Sequence, residues 1–582
     1  MTDKELDSYI NKIAFSGAND FLEKYTDTNI IGHFGLGFYS SFMVSDKVEI
    51  ITKSYNSDKA YKWACEGTTE FTIEETDKPS IGTDVVMHIS DKFEEEYLDV
   101  LNIKSLIKKF SRFSPIPIYV DEDDKSEKMT YDRALWLEQP STLKDEDYID
   151  FYKTLYPDRP EPLFWIHMNI DVPFTFRGIL YFPAFDPHKP IFEHKHLMLY
   201  SNRVFVTDNV EGILPEYLGL LHGVIDSPDI PLNVSRSFLQ SDSNVKKIGT
   251  HISNKVISSL KSLMRKDRKK YEEKWETINL FINLGIVTIP DLYKKCQDIL
   301  LLTDIDNNKY TIDEYYEMVK ETQKDKSGKV VYLYTYNKNI YYTYIEKLKK
   351  LKYNILVFSN QYSSYEIQAY EMGMQEKNVI FKRVDSDTAE HIIEKEDDTK
   401  KTKELSSNMK SMLITLFDCS KRKIEGSNIV FDVQNMGPTS QPAVIIGNEY
   451  FRRIKEMSII NNQGYFIDQD DALMFVINSD SKVVKKILKN AEKEIGEEVN
   501  KFNDEISAVN KKKSAEEDAD KKKKLEAEVN KLLDKKKAVI EKYVKTADII
   551  NELIDIALLE YGLLTGESLS KFIKHLYKNL EK

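Results

Sequence analysis

IGHFGLGFYSSF, residues 31–42, sets Gly32, Gly35 and Gly37 in a G-x-x-G-x-G pattern and runs straight into an apolar, aromatic stretch. Glycine lacks a Cβ, so backbone N–H groups at such positions can turn toward an anion. A helix starting at Phe38 would add its N-terminal dipole to the same anion. Glycine turns serve tight packing as readily, so the spacing alone leaves phosphate binding and packing both open. A nucleotide site needs more than a cradle, and the surrounding chain must supply the rest.

Ahead of the turn, Thr2 and Glu5 form a T-x-x-E capping box, and Leu6, Ile10 and Ile13 recur at helical spacing. SGANDFLEKYTDTN (16–29) is polar and rich in small residues, as a lid would be. Beyond the turn, KVEIITKSY (47–55), EFTIEE (70–75) and GTDVVMHIS (82–90) alternate apolar and polar positions, predicting a half-buried antiparallel sheet. Thr83, opening the last of these, can offer a hydroxyl to a ligand or serve as an ordinary strand-start threonine. A helix over about 97–113 and a strand at IPIYV (116–120) close this region, and charged DEDDKSEKMTYD (121–132) reads as a linker.

The next segments, 162–185 and 196–209, are strand-rich and lead into GVIDSPDIPLNVSRSFLQSD (223–242), a Pro/Asp/Ser-rich loop before a long helical stretch over 243–285. Arg236, presented by that loop, suits a charge-neutralising finger on a terminal phosphate, with Gln240 on its face if a helix has begun; a solvent-facing arginine is the plainer alternative. His194 and His196 alternate like strand neighbours, but no third ligand accompanies them, so no metal site is expected. From 290 to 385, VVYLYTY, YNILVFS and NVIFKRV alternate with helical patterns as a second α/β unit, and EKEDDTKKTKE (394–404) reads as a second linker.

The last region is mixed, then helical. Ile495, Val499, Phe502, Ile506 and Val509, then Leu525, Val529, Leu532 and Val539, follow heptad-like spacing around polar NKKKSAEEDADKKK (510–523), predicting a helical hairpin over 490–545. Residues 549–580 read as two amphipathic helices broken near Gly562–Gly566, apolar enough to bury against a partner.

A chain of 582 residues exceeds a single core, so about three domains are expected. The net charge of −13 argues against a general nucleic-acid binder but permits local binding of a Mg-nucleotide. Cys65, Cys296 and Cys419 are scattered and odd in number, as in a reducing compartment. MTDKELDSYINK carries no apolar run, and no stretch approaches the roughly 18 apolar residues of a membrane span, so a cytoplasmic location is expected, with neither nucleic acid nor membrane as partner.

Taken together and in order, IAFSGANDFLE, IGHFGLGFYSSFMVSDKVEI, GTDVVMHI, LFWIHMN, RGILYFP, LYSNRVFVTD, LPEYLGLLHGVIDSPDIPLNVSRSFLQ and PAVIIGNEYFRRIKEM closely resemble the heat-shock protein 90 chaperones of the bacterial HtpG type, over essentially the whole chain. The resemblance implies a multidomain α/β (α+β) chain. Residues 1–122 would be part of an N-terminal ATP-binding domain with the Bergerat (GHKL) α/β sandwich shared with gyrase, histidine kinases and MutL. After a linker at 123–133, residues 134–393 would form a middle α/β domain with a ribosomal-protein-S5-like fold and the catalytic loop. After a second linker at 394–404, residues 405–582 would form a mixed α/β dimerisation domain carrying the hairpin. ATP with Mg2+ would drive a dimeric clamp that remodels unfolded or partly folded client proteins.

By motif match, Gly32, Gly35, Leu36, Gly37 and Phe38 would lie against the phosphates, Thr83 on the adenine side, and Ile10 along the pocket. Arg236 would reach the γ-phosphate, supported by Asn233 and Gln240. Phe15 stands where many members carry a lysine, and Ser237 where a glutamate is usual. Met1 and Thr2 match positions just after the family's D-x-G-x-G motif, so the Mg2+-binding Asn and water-activating Glu have no counterpart here. The expectations are weak or absent ATP turnover and apolar strands left uncovered. A nucleotide-independent dimeric holdase or scaffold is the alternative, and a gyrase- or MutL-like DNA enzyme is disfavoured by the acidic charge. The C-terminal YKNLEK lacks both an acidic helper-recruiting motif and an ER-retention signal, as suits a bacterial cytoplasmic member.

Overall fold

In a computed structural model, the described residues are 1–13, 35–122, 124–131, 133–172, 175–184, 196–208, 214–229, 243–289, 291–358, 362–393, 405–420, 427–460 and 471–580. They form a mixed α and β chain in two compact units, Met1–Gly285 and Ile286–Lys582. The expected lid at 16–29, the loop bearing Asn233, Arg236 and Gln240, and the expected linker at 394–404 lie outside them.

The first unit opens on α1 (Asp3–Tyr9), capped as its sequence predicts: the Glu5 amide donates to Thr2 Oγ1 at 3.3 Å, and the Thr2 amide to Glu5 Oε2 at 2.7 Å. Leu6 and Ile10 leave its inner face and pack with Val48, Ile50, Trp63 and Cys65 of an antiparallel sheet. That sheet runs β3-β2-β1-β4, with β1 (Ser45–Lys53), β2 (Ala60–Cys65), β3 (Phe71–Thr76) and β4 (Gly82–Ile89). Sequence reading misses β2, because AYKWAC offers a single strong strand former on its buried face. Pairing of Ile50 with Trp63 and Val48 with Cys65 puts all four on α1's side. The intervening Glu49 faces the other way, where Lys47 and Lys62 hold its carboxyl down to about 2. The edge strand β4 leaves Val85, Val86 and Met87 exposed.

Next come α2 (Glu94–Tyr97) and α3 (Val100–Phe110), then a hairpin of β5 (Tyr119–Glu122) and β6 (Lys125–Lys128). Part of the stretch that reads as a linker is thus strand. Lys104 of α3 reaches carboxylates on both strands, Glu122 at 3.5 Å and Glu127 at 2.8 Å, so these charges serve pairing. After α4 (Asp145–Leu155), a five-stranded sheet runs β10-β9-β11-β8-β7, with β7 (Phe164–Ile170), β8 (Phe176–Phe182), β9 (His196–Ser201), β10 (Val204–Thr207) and β11 (His222–Asp226). Trp136 and Phe113 fill the core beneath α4 together with Tyr152, Tyr181 and Tyr200. The Trp136 indole donates to Asp226 Oδ2 at 3.0 Å, giving a buried carboxylate one of the partners it requires. Helices α5 (Ser243–Lys266), α6 (Arg268–Glu273) and α7 (Trp275–Thr288) occupy the predicted helical stretch.

The second unit, which takes in the last residues of α7, continues with α8 (Leu292–Cys296), β12 (Leu301–Thr303), β13 (Lys309–Thr311) and α9 (Ile312–Val319). A three-stranded parallel sheet follows, ordered β15-β14-β16, with β14 (Val330–Thr335), α10 (Tyr342–Lys350), β15 (Ile355–Val357), α11 (Ser363–Gly373) and β16 (Val379–Arg383). Every residue of β14 is buried, as a strand covered on both faces demands. Then come α12 (Ser407–Asp418) and a mixed sheet β17-β19-β18, built from β17 (Ser427–Gln434), β18 (Ala443–Gly447) and, after α13 (Glu449–Ile460), β19 (Asp471–Asn478).

The predicted hairpin is α14 (Lys482–Ala515) and α15 (Ala519–Val544). It is longer than its heptads suggest, and only residues 516–518 connect the helices. Lysine, alanine and glutamate are good helix formers, so the polar run extends both helices, and Asp518 caps the second by accepting from the amides of Asp520 and Lys521. Helices α16 (Asp548–Tyr561) and α17 (Gly566–Leu580) end the chain, separated where Gly562 adopts φ +84° as a C-cap.

A buried polar network joins α13 to the parallel sheet. Arg452 donates to Glu449 (2.6 Å), Glu456 (2.9 Å) and the hydroxyls of Tyr334 (2.6 Å) and Tyr336 (3.2 Å). Arg453 donates to Glu449 (2.6 Å), Glu371 (2.8 Å) and the Phe381 carbonyl (2.8 Å). Burial pushes the Glu449 carboxyl up, but the two arginines and the Tyr334 hydroxyl outweigh it and hold the group down to about 2. A depressed carboxyl stabilises the fold above its unfolded pKa near 4.5 and loses that stabilisation as pH falls toward 2. The wild-type chain should therefore lose roughly 3 kcal/mol from this group across that window, converted at about 1.4 kcal/mol per pH unit. Chemical denaturation at stepped pH checks it: Glu449→Gln should flatten the slope between pH 4.5 and 2, and an unchanged slope refutes the assignment.

Candidate nucleotide site

The described part of the glycine segment, residues 35–42, is held from beneath by the cluster around Trp63. Gly35 adopts φ +62°, the left-handed region that strains a side chain. A Cβ placed on Gly37 would meet no heavy atom within 4 Å, so space lies open above it. The following turn, Gly37–Met43, is a 3₁₀ helix rather than the α-helix its sequence suggests. The reason is local: Ser40 Oγ donates to the Gly37 carbonyl at 2.5 Å and Ser41 Oγ to the Phe38 carbonyl at 2.7 Å, competing with α-helical bonding. Leu36, at the cap position, brings no side-chain hydrogen bond, so among the described residues no side chain caps the first amides of the turn.

Phe38 divides its roles. Its ring packs edge-on against Trp63 and Tyr39, each with centroids 5.7 Å away, and against Phe42 at 6.1 Å, joining the cluster that holds Ile10. Only its backbone can face a phosphate. The Tyr39 hydroxyl donates to the Ile10 carbonyl, tying the turn to the C-terminal end of α1. Burial first, and Cys65 second, raise that hydroxyl above the ordinary tyrosine range, so it stays a donor.

Thr83 lies on β4 opposite Thr52 of β1, their hydroxyl oxygens 2.7 Å apart. Thr52 is buried, Thr83 is exposed, and the Met1 amino group donates to Thr52 Oγ1 at 2.5 Å. The start of α1 thus meets the threonine pair and its end meets the glycine turn. At 1.5 Å per residue the two places are roughly 13 Å apart along the helix. Ile10, Gly35, Leu36, Gly37 and Phe38 are brought together; Thr83 sits at the far end of α1; Gly32, Asn233, Arg236 and Gln240 lie outside the described residues.

Sequence reading misses Thr52 and Tyr39. Thr52 becomes visible only once strand register is known, and Tyr39 reads as one more aromatic in an apolar run. Trp63, whose indole donates to Asn11 at 2.8 Å, is hidden along with β2. Among the described residues, no three His, Cys, Asp or Glu side chains gather as a metal site, and no helix is long and apolar enough to cross a membrane. All three cysteines are buried and none is in a disulfide.

Comparison with known proteins agrees with the sequence motifs. A sequence model of the Hsp90 protein family matches residues 120–504. Chaperone protein HtpG of Bacteroides thetaiotaomicron is 43% identical in an alignment covering 99% of this chain and 88% of that protein. Chaperone protein HtpG of Porphyromonas gingivalis is 38% identical over 99% of this chain and 87% of that protein. Chaperone protein HtpG of Bdellovibrio bacteriovorus is 31% identical over 84% of this chain and 79% of that protein. The chain belongs to the Hsp90 protein family, in its bacterial HtpG type.

Proposed function

We propose that this chain is a molecular chaperone that binds unfolded or partly folded client proteins in the bacterial cytoplasm, and whose client handling is governed by ATP. The observation that carries the nucleotide part is the turn in which Gly35 takes the left-handed backbone and Gly37 faces open space, beside a Phe38 packed against the core. Backbone N–H groups of Gly35–Phe38, with Gly32, would receive the phosphates; Thr83 would lie on the adenine side and Ile10 along the pocket. Arg236, with Asn233 and Gln240, would reach the γ-phosphate from the middle domain. Residues 1–122 would then be the nucleotide-binding part, 134–393 the middle domain and 405–582 the dimerisation domain. Mg2+, where bound with ATP, neutralises phosphate charge. The described residues offer no acidic or histidine cluster to hold it, so no step is assigned through it.

Gly37→Ala separates a phosphate cradle from a packing glycine. The added methyl enters open space, so the melting temperature should hold within about 2 °C. It also stands where a phosphate must approach, so ATP affinity by isothermal titration should fall at least about tenfold. Unchanged ATP affinity would refute the cradle. Suppression of client aggregation that is indifferent to ATP in the wild-type chain would favour a nucleotide-independent holdase.

Dimerisation through the last two helices is supported by exposed apolar residues at helical spacing, Ile556 and Leu559 on α16 and Ile573, Leu576 and Tyr577 on α17. Leu559→Glu with Tyr577→Glu places charges on that face without entering the core. The double variant should run as a monomer in sedimentation at concentrations where wild type is dimeric, with an unaltered far-UV circular dichroism spectrum.

A further inference from the structure

The long hairpin of α14 and α15 has no part in the function proposed above, yet it builds a groove. A cavity of 580 Å³ lies between the hairpin and α12. At its floor is Lys536, only 7% exposed, with Nζ 2.8 Å from Asn503 Oδ1. An ammonium has three donors, and this one has a single neutral acceptor; among the described residues no carboxylate pairs with it. Burial lowers its pKa, consistent with an uncompensated cation. A buried charge of this kind carries a desolvation cost that an anion would relieve.

The walls point to the class of ligand. Asn503, Ser507, Asn510 and Ser514 recur at i, i+4, i+7 and i+11 on one face of α14, a stripe roughly 16 Å long at 1.5 Å per residue. That length suits about five residues of extended chain at ~3.3 Å each. Amide and hydroxyl groups in a row can pair with the N–H and C=O groups of such a chain, and Asn408 and Ser411 of α12 add more from the opposite wall. Ile506 and half-exposed Leu533 give an apolar side chain a place to rest. None of the residues lining the groove is acidic, and Lys511 joins Lys536 there, in a chain of net charge −13. Lysines at 511–513 and 521–524 flank the acidic tip (Glu516, Glu517, Asp518, Asp520), adding steering charge beside the groove.

We propose that the groove between α12 and the α14–α15 hairpin is a docking site for an extended, acidic peptide segment of a partner protein, with a carboxylate of that segment meeting Lys536. Apolar and neutral hydrogen-bonding walls favour a peptide over a nucleic-acid backbone, which would call for several exposed cations along the stripe itself.

The test uses the full chain and a short fluorescein-labelled peptide alternating glutamate and leucine, its glutamine/leucine counterpart, and a labelled single-stranded oligonucleotide. Fluorescence anisotropy should show the acidic peptide binding at least about tenfold tighter than the glutamine version, the size expected of a hydrogen bond to a charged group. Lys536→Met should abolish that preference without lowering the melting temperature, because it replaces a buried cation by an apolar side chain of similar shape. Ser507→Glu, at an exposed position, should block the acidic peptide while leaving the fold intact. Equal binding of the acidic peptide to wild type, Lys536→Met and Ser507→Glu would overturn the proposal. So would no binding by wild type, or displacement of the peptide by the oligonucleotide.

Discussion

Arg452→Met should destabilise the second unit by about 3–5 kcal/mol in urea unfolding, the range for removing one partner of a buried ion pair. Its guanidinium side chain is 15% exposed and holds Glu449, Glu456, Tyr334 and Tyr336 at once. Methionine matches the volume but leaves two carboxylates and two phenols facing an apolar side chain. Glu449 would retain Arg453, so its carboxylate stays partly compensated. Among the described residues, Glu456 would keep the Tyr336 and Ser364 hydroxyls and a distant Arg383 guanidinium nitrogen at 3.9 Å. Adding Glu456→Gln to Arg452→Met should recover part of the loss, because it removes the stranded charge; a double variant less stable than the single one would show that packing dominates. A single-variant loss below about 1 kcal/mol would mean that water reaches this network.

The second large effect is steric. Gly223→Ala should cost about 4 kcal/mol and leave the first unit largely unfolded above room temperature. Gly223 sits at φ +126° in β11, between β8 and β9 in the five-stranded sheet. A Cβ there would lie 2.0 Å from the Ile179 carbonyl oxygen, a backbone atom that cannot step aside without breaking the β8–β11 ladder. Strained backbone and overpacking each contribute roughly 1–3 kcal/mol. Gly219→Ala, also buried but with nothing within 4 Å of its Cβ, is the control and should change stability by less than about 1 kcal/mol. Equal effects at the two positions would refute the steric account. Thermal unfolding followed by circular dichroism and by tryptophan fluorescence, all four tryptophans lying in the first unit, reads both variants.

Much of the fold is legible in the amino-acid order alone. The cap at Thr2, the alternating strands β1, β3 and β4, the helical stretch over 243–285 and the hairpin all rest on neighbours within a few residues of one another. Local periodicity and capping chemistry report such features directly. What stays hidden depends on partners far along the chain. The segment around Lys125–Lys128 reads as solvated linker because the helix that pairs its charges, through Lys104, lies some twenty residues earlier. NEYFRRIKEM shows in sequence only as part of a family motif; that its two arginines are largely buried among carboxylates and tyrosines contributed by β14, α11 and α13 itself emerges from the fold.

The candidate site divides along the same line. Three glycines at fixed spacing, a following aromatic and a strand-opening threonine are properties of the sequence, and motif order places them in a family. The sequence by itself therefore determined which residues can present bare backbone to an anion, because that freedom belongs to glycine wherever it stands. Tertiary structure alone decided that Phe38 turns its ring into the core, that Tyr39 ties the turn to Ile10, and that Thr52 rather than a nearer residue partners Thr83. Those outcomes follow from strand register and from the docking of α1, and both are set by burying Leu6, Ile10, Val48, Ile50 and Trp63 together, a cooperative choice that no short window of sequence contains.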